Sequence, residues 1–247
     1  MKEKHEFSLY YEGLKDLSLR IGKEITINNE DLYHRIVRIL RLKESESCIL
    51  FDAQCHILVT FQGSFKKNSV TFTLIAVADN QILQPKITFL LPLLKREALH
   101  DAIYSLVEGG ASTIQLIDTK KVHQKWGGKK EYERLHKVMI AAAEQSKNYA
   151  LPELLEPQSF EDILQEASKA QIVFFDPEGH AAFSVIEQLK KGLAKELILM
   201  VGPEGDLTNE EKEVLKKHNA LFCRLGPTVL RAQQAVVVAL GLMRSLL

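Results

Sequence analysis

Two strand-to-helix junctions in the last fifth of the chain hold the residues best spaced for chemistry. The first is MVGPEGD, residues 200–206, at the end of the apolar run 196–201. The second is LGPTVLRAQQA, residues 225–235, after the strand candidate 221–225. Each junction offers glycines that let a flat ligand come close to backbone amides. Each also brings bulky apolar side chains, Met200, Leu225, Val229 and Leu230, able to sandwich an aromatic ring. Glu204 and Asp206 argue against a phosphate cradle, which wants no acids.

An adenine held by backbone and apolar walls, with no phosphate to neutralise, tolerates those acids, and a positively charged ligand favours them. S-adenosylmethionine combines an adenosine, no phosphate and a sulfonium cation. Two ordinary turns whose acids stabilise a helix N-terminus are the competing explanation. Other chemistries have little support: no G-x-G-x-x-G follows a strand, and G-x-x-x-x-G-K-[ST], H-E-x-x-H and G-x-S-x-G are all missing from the sequence.

The elements that must position these junctions fall into two halves. Up to about residue 80 the signals are strand-like: 24–28, 48–53, 56–61 and 69–78 are short and rich in β-branched and aromatic residues. A helix over about 30–42, with Asn29 as N-cap, interrupts them. A small β-barrel is the expectation. The polar, Pro85-containing stretch 79–86 reads as a linker. Beyond it, strands at 87–92, 113–118, 171–175, 196–201 and 221–225 alternate with helices at 96–108, 130–146, 160–169, 181–191 and 209–218, before a last helix at 232–246. That alternation predicts a parallel sheet with helices on its faces.

Thr208 and Glu211 fit a capping box, and Gly109-Gly110 fits the end of the helix that starts near Arg96. Pro-Glu-Gly occurs twice just after a buried strand, at 177–179 and 203–205. In a parallel sheet both triplets lie on the carboxyl edge, where open α/β sheets bind ligands, although reuse of good turn chemistry explains the repetition equally well.

With 247 residues, 46% of them hydrophobic, the chain is long enough for one large domain or two ordinary ones. Its 32 basic and 32 acidic residues cancel, so a nucleic-acid partner has to be met by local patches. Two qualify: HRIVRILRLK, 34–43, with His34, Arg38 and Arg41 spaced for one helical face, and the lysine-rich TKKVHQKWGGKKEYERLHK, 119–137. Either alone also reads as a solvated amphipathic surface. Cys48, Cys55 and Cys223 form no C-x-x-C pair and read as buried thiols, with no metal site expected. Apolar runs are far short of the ~20 residues of a membrane span. The charged N-terminus lacks the apolar core of a signal peptide, so a cytoplasmic home is the expectation.

The order HRIVRILRLK, LFDA, LPLLKRE, LVEGGA, IAAAEQS…LPEL, VGPEGDLTNEE and LGPTVLRAQQA, running through nearly the whole chain, resembles the RsmE family of bacterial 16S ribosomal RNA uridine N3-methyltransferases. The resemblance implies an α/β protein with an N-terminal PUA-like, RNA-binding β-barrel over 1–80. A SPOUT methyltransferase domain over 81–247 follows, its last segments threaded into a deep trefoil knot, a rare exception to unknotted topology. It further implies S-adenosylmethionine as methyl donor, the small ribosomal subunit as substrate, and a homodimer. The final helix, apolar on nearly every side, fits burial in a core or an interface.

Position by position, the resemblance carries the cofactor site onto Met200, Gly202, Pro203, Glu204, Gly205, Leu225, Gly226, Val229 and Leu230. Arg231 is assigned to hold the RNA or target base, and Glu204 is the candidate base, with a structural role as its alternative. His34, Arg38, Arg41, Lys43 and Lys121 are assigned to RNA, and Glu144-Gln145 to the neighbourhood of the cleft. The chain departs from the family pattern at Asp206, where a second glycine is usual, and at Gln233 and Gln234, which remove a hydroxyl and a carboxylate. It departs also at Asn148 and Lys121, which replace arginines, and at Gly109, which interrupts an ELG signature. A SPOUT enzyme acting on another RNA or atom, or a catalytically weakened RNA-binding relative, are the alternatives.

Overall fold

The computed structural model describes residues 7–18, 20–122, 124–166, 170–192 and 196–247. His123, Met1–Glu6 and the predicted helical end 167–169 lie outside the described residues. The chain divides into two compact units, one of Met1–Gln81 with Ala143–Ala150, the other of Ile82–Ala142 with Leu151–Leu247.

The first unit contains β1 (Phe7–Tyr10), α1 (Lys15–Ser18), β2 (Glu24–Asn28), α2 (Glu30–Tyr33), β3 (Ser47–Phe51), β4 (Cys55–Gly63) and β5 (Ser69–Asp79). Burial along β4 alternates strictly, as expected of a strand with one face on a core. The strand order is β1-β3-β4-β5-β2, with β1 parallel to β3 and the other pairs antiparallel. Strands β1 and β2 are therefore edges, and no pairing among the described residues closes the sheet into the expected ring. Leu9, Ile27, Leu32, Ile36, Leu50, Val59, Phe72 and Leu74 form its core.

The helix predicted over 30–42 is a single α turn followed by a π-helix, His34–Leu40. Asn29 caps the start, its side chain accepting from the Leu32 amide, and Arg41 in the left-handed conformation (φ +52°) ends it. The wider turn rotates the expected face: Ile36 is fully buried while Ile39 is 62% exposed beside the basic residues.

The second unit contains β6 (Lys86–Pro92), α3 (Arg96–Glu108), β7 (Thr113–Asp118), α4 (Lys129–Ser146, its end in the first unit), β8 (Glu153–Ser159), α5 (Phe160–Glu166), β9 (Gln171–Ala181), α6 (Ala182–Gly192), β10 (Glu196–Val201), α7 (Asn209–Lys217), β11 (Leu221–Arg224) and α8 (Ala232–Leu246). All six strands are parallel, in the order β11-β9-β10-β6-β7-β8. With helices covering both faces, β10 is buried from Leu197 to Val201 and reads as a continuous apolar run rather than an alternation.

Helix α3 ends at Gly109 and Gly110 as predicted, for two separate reasons. A Cβ on Gly109 would lie 2.5 Å from Leu240 of α8, and Gly110 has φ +74°. Arg244 of α8 donates to the carbonyls of Gly110 (2.5 Å), just past the helix end, and Pro85 (2.6 Å), just before β6, joining the two segments.

One local prediction fails. Pro177-Glu178-Gly179 is not a turn after a strand but part of β9, which runs on to Ala181. Phe222 pairs with Phe174 and the next residue, Cys223, with His180, so β9 makes a five-residue detour between consecutive partners. Gly179 is where the detour rejoins: a Cβ there would lie 2.6 Å from the Cys223 nitrogen. Cys48, Cys55 and Cys223 are buried and form no disulfide among the described residues. Burial pushes the Cys223 thiol up to about 11. No helix among the described residues is long and apolar enough to cross a membrane.

Candidate active site

Parallel strands place all their carboxyl ends on one edge. There, at the ends of β6, β9, β10 and β11, lies a cleft of about 950 Å³, within the range of small-molecule sites. The junction after β10 contributes Gly202, Pro203, Glu204 and Asp206 to its lining. The junction after β11 contributes Leu225, Gly226, Thr228, Val229, Leu230 and Arg231. The two stretches singled out in the sequence thus face one space.

The first wall is heavily tied. Asp206 donates its amide to the Pro203 carbonyl at 2.9 Å, closing the turn. Lys121 Nζ donates to the carbonyls of Gly205 (2.9 Å) and Leu207 (3.1 Å). Thr208 then starts α7 with the predicted capping box. Its hydroxyl accepts from the Glu211 amide at 3.2 Å, and Glu211 accepts from the Thr208 amide at 2.7 Å. The other oxygen of Glu211, a residue only 1% exposed, accepts from the Lys120 amide at 2.8 Å, so one carboxylate joins two segments.

The second wall is open. Val229 is 80% exposed and Leu230 36%, and an added Cβ at Gly226 would meet nothing within 4 Å among the described residues. Arg231 sits at the N-cap of α8 with an extended backbone, exposed and without a side-chain capping bond.

Sequence reasoning missed Lys95, Glu97, Ala98 and Asp101 from the start of α3, Phe175 and Asp176 from β9, and Arg224 from the end of β11, whereas Pro177 and Gln233, already noted on the carboxyl edge and in the second junction, line the cleft too. The signal was available: once the sheet is read as parallel, each residue at a strand's carboxyl end belongs to the same edge. Five carboxylates, Glu97, Asp101, Asp176, Glu204 and Asp206, face three cations, Lys95, Arg224 and Arg231. Such a cleft suits a cationic ligand, and it keeps three basic groups for an anionic one.

Several assigned residues stand elsewhere. Met200 is fully buried in the core with Leu90, Ile117, Phe174 and Ile198, so its side chain is no cleft wall. Gly205 does not line the cleft; its α-carbon faces the Lys121 side chain. Lys121, assigned to RNA, is exposed and braces the turn's carbonyls. Glu144 belongs to the first unit, where it accepts from the Tyr10 amide (2.7 Å) and pairs with Arg35 (2.5 Å), fixing the π-helix to β1. His34, Arg38, Arg41 and Lys43 are all exposed.

Asp206, the residue that departs from the glycine of the resembling family, is half exposed but tied to a lysine. Its Oδ2 lies 2.8 Å from Lys212 Nζ, which also lies 2.6 Å from Asp176 Oδ2. Burial alone would lower the Lys212 pKa, but the hydrogen bonds and charges of the two aspartates raise it overall.

The family model of the RNA methyltransferase domain matches residues 82–244. A ribosomal RNA small subunit methyltransferase E from Bacillus subtilis is 27% identical, covering 94% of each chain. One from Rickettsia conorii is 24% identical over 91% of each. Among solved structures, a ribosomal RNA small subunit methyltransferase E from Neisseria gonorrhoeae bound to S-adenosyl methionine superposes with a TM-score of 0.81 over 98% of each chain, at 19% identity. Since the matched segment holds the whole parallel sheet and every residue of the cleft, the chain belongs to the RNA methyltransferase domain family.

Proposed function

We propose that this protein methylates N3 of a uridine in 16S ribosomal RNA of the small subunit, using S-adenosylmethionine bound in the cleft at the carboxyl edge of the parallel sheet. One observation carries the reading: a glycine-rich backbone turn and an apolar, exposed stretch face each other across a cleft that is acidic overall. Backbone groups of the 202–206 turn that face the cleft and are not bonded within the turn hold an adenine edge, Leu225, Val229 and Leu230 cover its face, and the carboxylates suit a sulfonium. The relatives' names support the rRNA of the small subunit as substrate.

When bound, S-adenosylmethionine supplies a methyl group whose bond to sulfur breaks, the electron pair staying on sulfur, as the bond to N3 forms. The protein's own tasks are alignment and charge. Holding two reactants in line can supply up to about 7–11 kcal/mol, more than the ~10²- to 10⁴-fold typical of a general base. Arg231, at the cleft edge and free of a capping duty, stabilises the uracil anion as its N3 proton leaves. The carboxylates of the lining are the groups able to take that proton, Glu204 among them.

The first unit is read as the PUA-like RNA-binding domain, with His34, Arg38, Arg41 and Lys43 exposed along and after the π-helix to meet phosphates. The C-terminal segments are read as the trefoil knot of the resembling family; among the described residues β11 pairs with β9 and not with β10, the strand before it, a crossover in keeping with such threading. A second copy of the chain covers the outer face of α8, where Val237 and Val238 are 46% and 42% exposed.

Tritium transfer from labelled S-adenosylmethionine to small subunits lacking the modification, followed by mass spectrometry of digested rRNA, decides activity, substrate and atom together. A methyl group found on another atom or RNA refutes the assignment.

A further inference from the structure

The turn after β10 holds an ordinary side chain in a conformation that favours glycine: Asp206 has φ +58°. Aspartate is among the few residues that tolerate this region, because its short side chain hydrogen-bonds locally. Here Oδ1 accepts from the Leu207 amide at 2.7 Å, while Oδ2 pairs with Lys212. The room is tight, since a Cβ on Gly202 would lie 3.1 Å from Asp206 Oδ1.

Lys212, on the first turns of α7, also reaches Asp176 at 2.6 Å. The Asp176 side chain is only 3% exposed, and its Oδ1 accepts from the Glu178 amide at 2.7 Å. One ammonium therefore joins the β9 detour, the turn and α7, and supplies the counter-charge that a carboxylate so far out of water requires. Both aspartates belong to the cleft lining.

We propose that Lys212 is a positioning residue of the cleft: by pairing with Asp206 and Asp176 together, it locks the 202–206 turn in the shape that a glycine at 206 would adopt freely. The proposal rests on the reading of the cleft as the S-adenosylmethionine site. Lys212 acts through the turn and not by touching the ligand. Without its ammonium, two carboxylates drawn to one point repel each other, and Asp206 keeps an unfavourable backbone with half its anchor gone.

The test compares wild type, Lys212→Arg, Lys212→Met, Asp206→Ala and Asp206→Gly. Hydrogen exchange in 202–208 is measured on the ligand-free proteins, and S-adenosylmethionine is titrated calorimetrically. Lys212→Met and Asp206→Ala should each speed exchange of the turn and weaken binding by about tenfold, with Lys212→Arg recovering part of the loss. Asp206→Gly should bind about fivefold more tightly than Asp206→Ala, because glycine needs no anchor at positive φ.

Wild-type exchange in Lys212→Met, or exchange accelerated evenly over the whole sheet, overturns the proposal. So does an Asp206→Ala protein indistinguishable from Asp206→Gly, a comparison that stands if Lys212→Met fails to fold. A wild-type chain that takes up no S-adenosylmethionine overturns the cofactor reading instead, and the exchange measurement then decides the clamp by itself.

Discussion

The two walls of the cleft are built on opposite plans. The 202–207 turn is held by its own closing hydrogen bond, by Lys121, by Lys212 and by a capping box whose glutamate is buried. The 225–231 stretch exposes Val229, Leu230 and Arg231. A wall that recognises through backbone groups must be rigid before the ligand arrives, because a misplaced amide has no second conformation to offer. A wall that recognises through apolar side chains can wait, since its contacts are non-directional and form as water leaves.

Substitutions in the two walls should therefore separate function from stability. The largest effect is expected from Arg231→Ala: methyl transfer falls by on the order of 10²-fold, comparable to losing one stabilising donor, with little change in melting temperature. Transfer at the wild-type rate would remove Arg231 from the mechanism. Next comes Glu211→Ala in the tied wall. It strands the amides of Thr208 and Lys120 and should destabilise the protein by about 2–3 kcal/mol in urea titrations. A change under about 0.5 kcal/mol would mean that the wall is not held as described.

Leu230→Ser in the open wall should weaken S-adenosylmethionine about tenfold by calorimetry while leaving stability within about 0.5 kcal/mol. If the melting temperature dropped instead, the stretch would be core and the contrast between the walls would vanish. The smallest effect is expected for Lys121→Ala, about 1 kcal/mol of stability, because an exposed lysine's bonds to two carbonyls are partly replaced by water. A loss confined to RNA binding would restore Lys121 to the role first assigned to it.

The contrast also explains what the sequence made legible. Caps and turns are written locally, so Asn29, Thr208 with Glu211, and Gly109-Gly110 could be read directly, as could the alternation that makes a parallel sheet. Face was not legible in β10: with both sides covered, nothing in LILMV tells that Met200 points into the core. Strand β1 is four residues long without turn signals, and β8 carries Pro157, so neither stood out.

The roles of Lys121, Lys212 and Glu144 depend on partners 84, 36 and 134 residues away in the chain, and no local pattern encodes them. Asp206 lay between these cases. Its departure from glycine was visible, but what compensates for it required seeing Lys212.

The place of β11 in the sheet has a consequence for biosynthesis. It is an edge strand, paired among the described residues with β9 alone, and it carries with α8 the whole open wall. A ribosome releases residues 202–207 well before 225–235, and domains fold as the chain emerges. Since a domain folds as a unit, the two walls form together only once the last segments are free. The enzyme therefore gains competence late in its own translation, and chains interrupted before residue 225 are silent toward the rRNA instead of partly active.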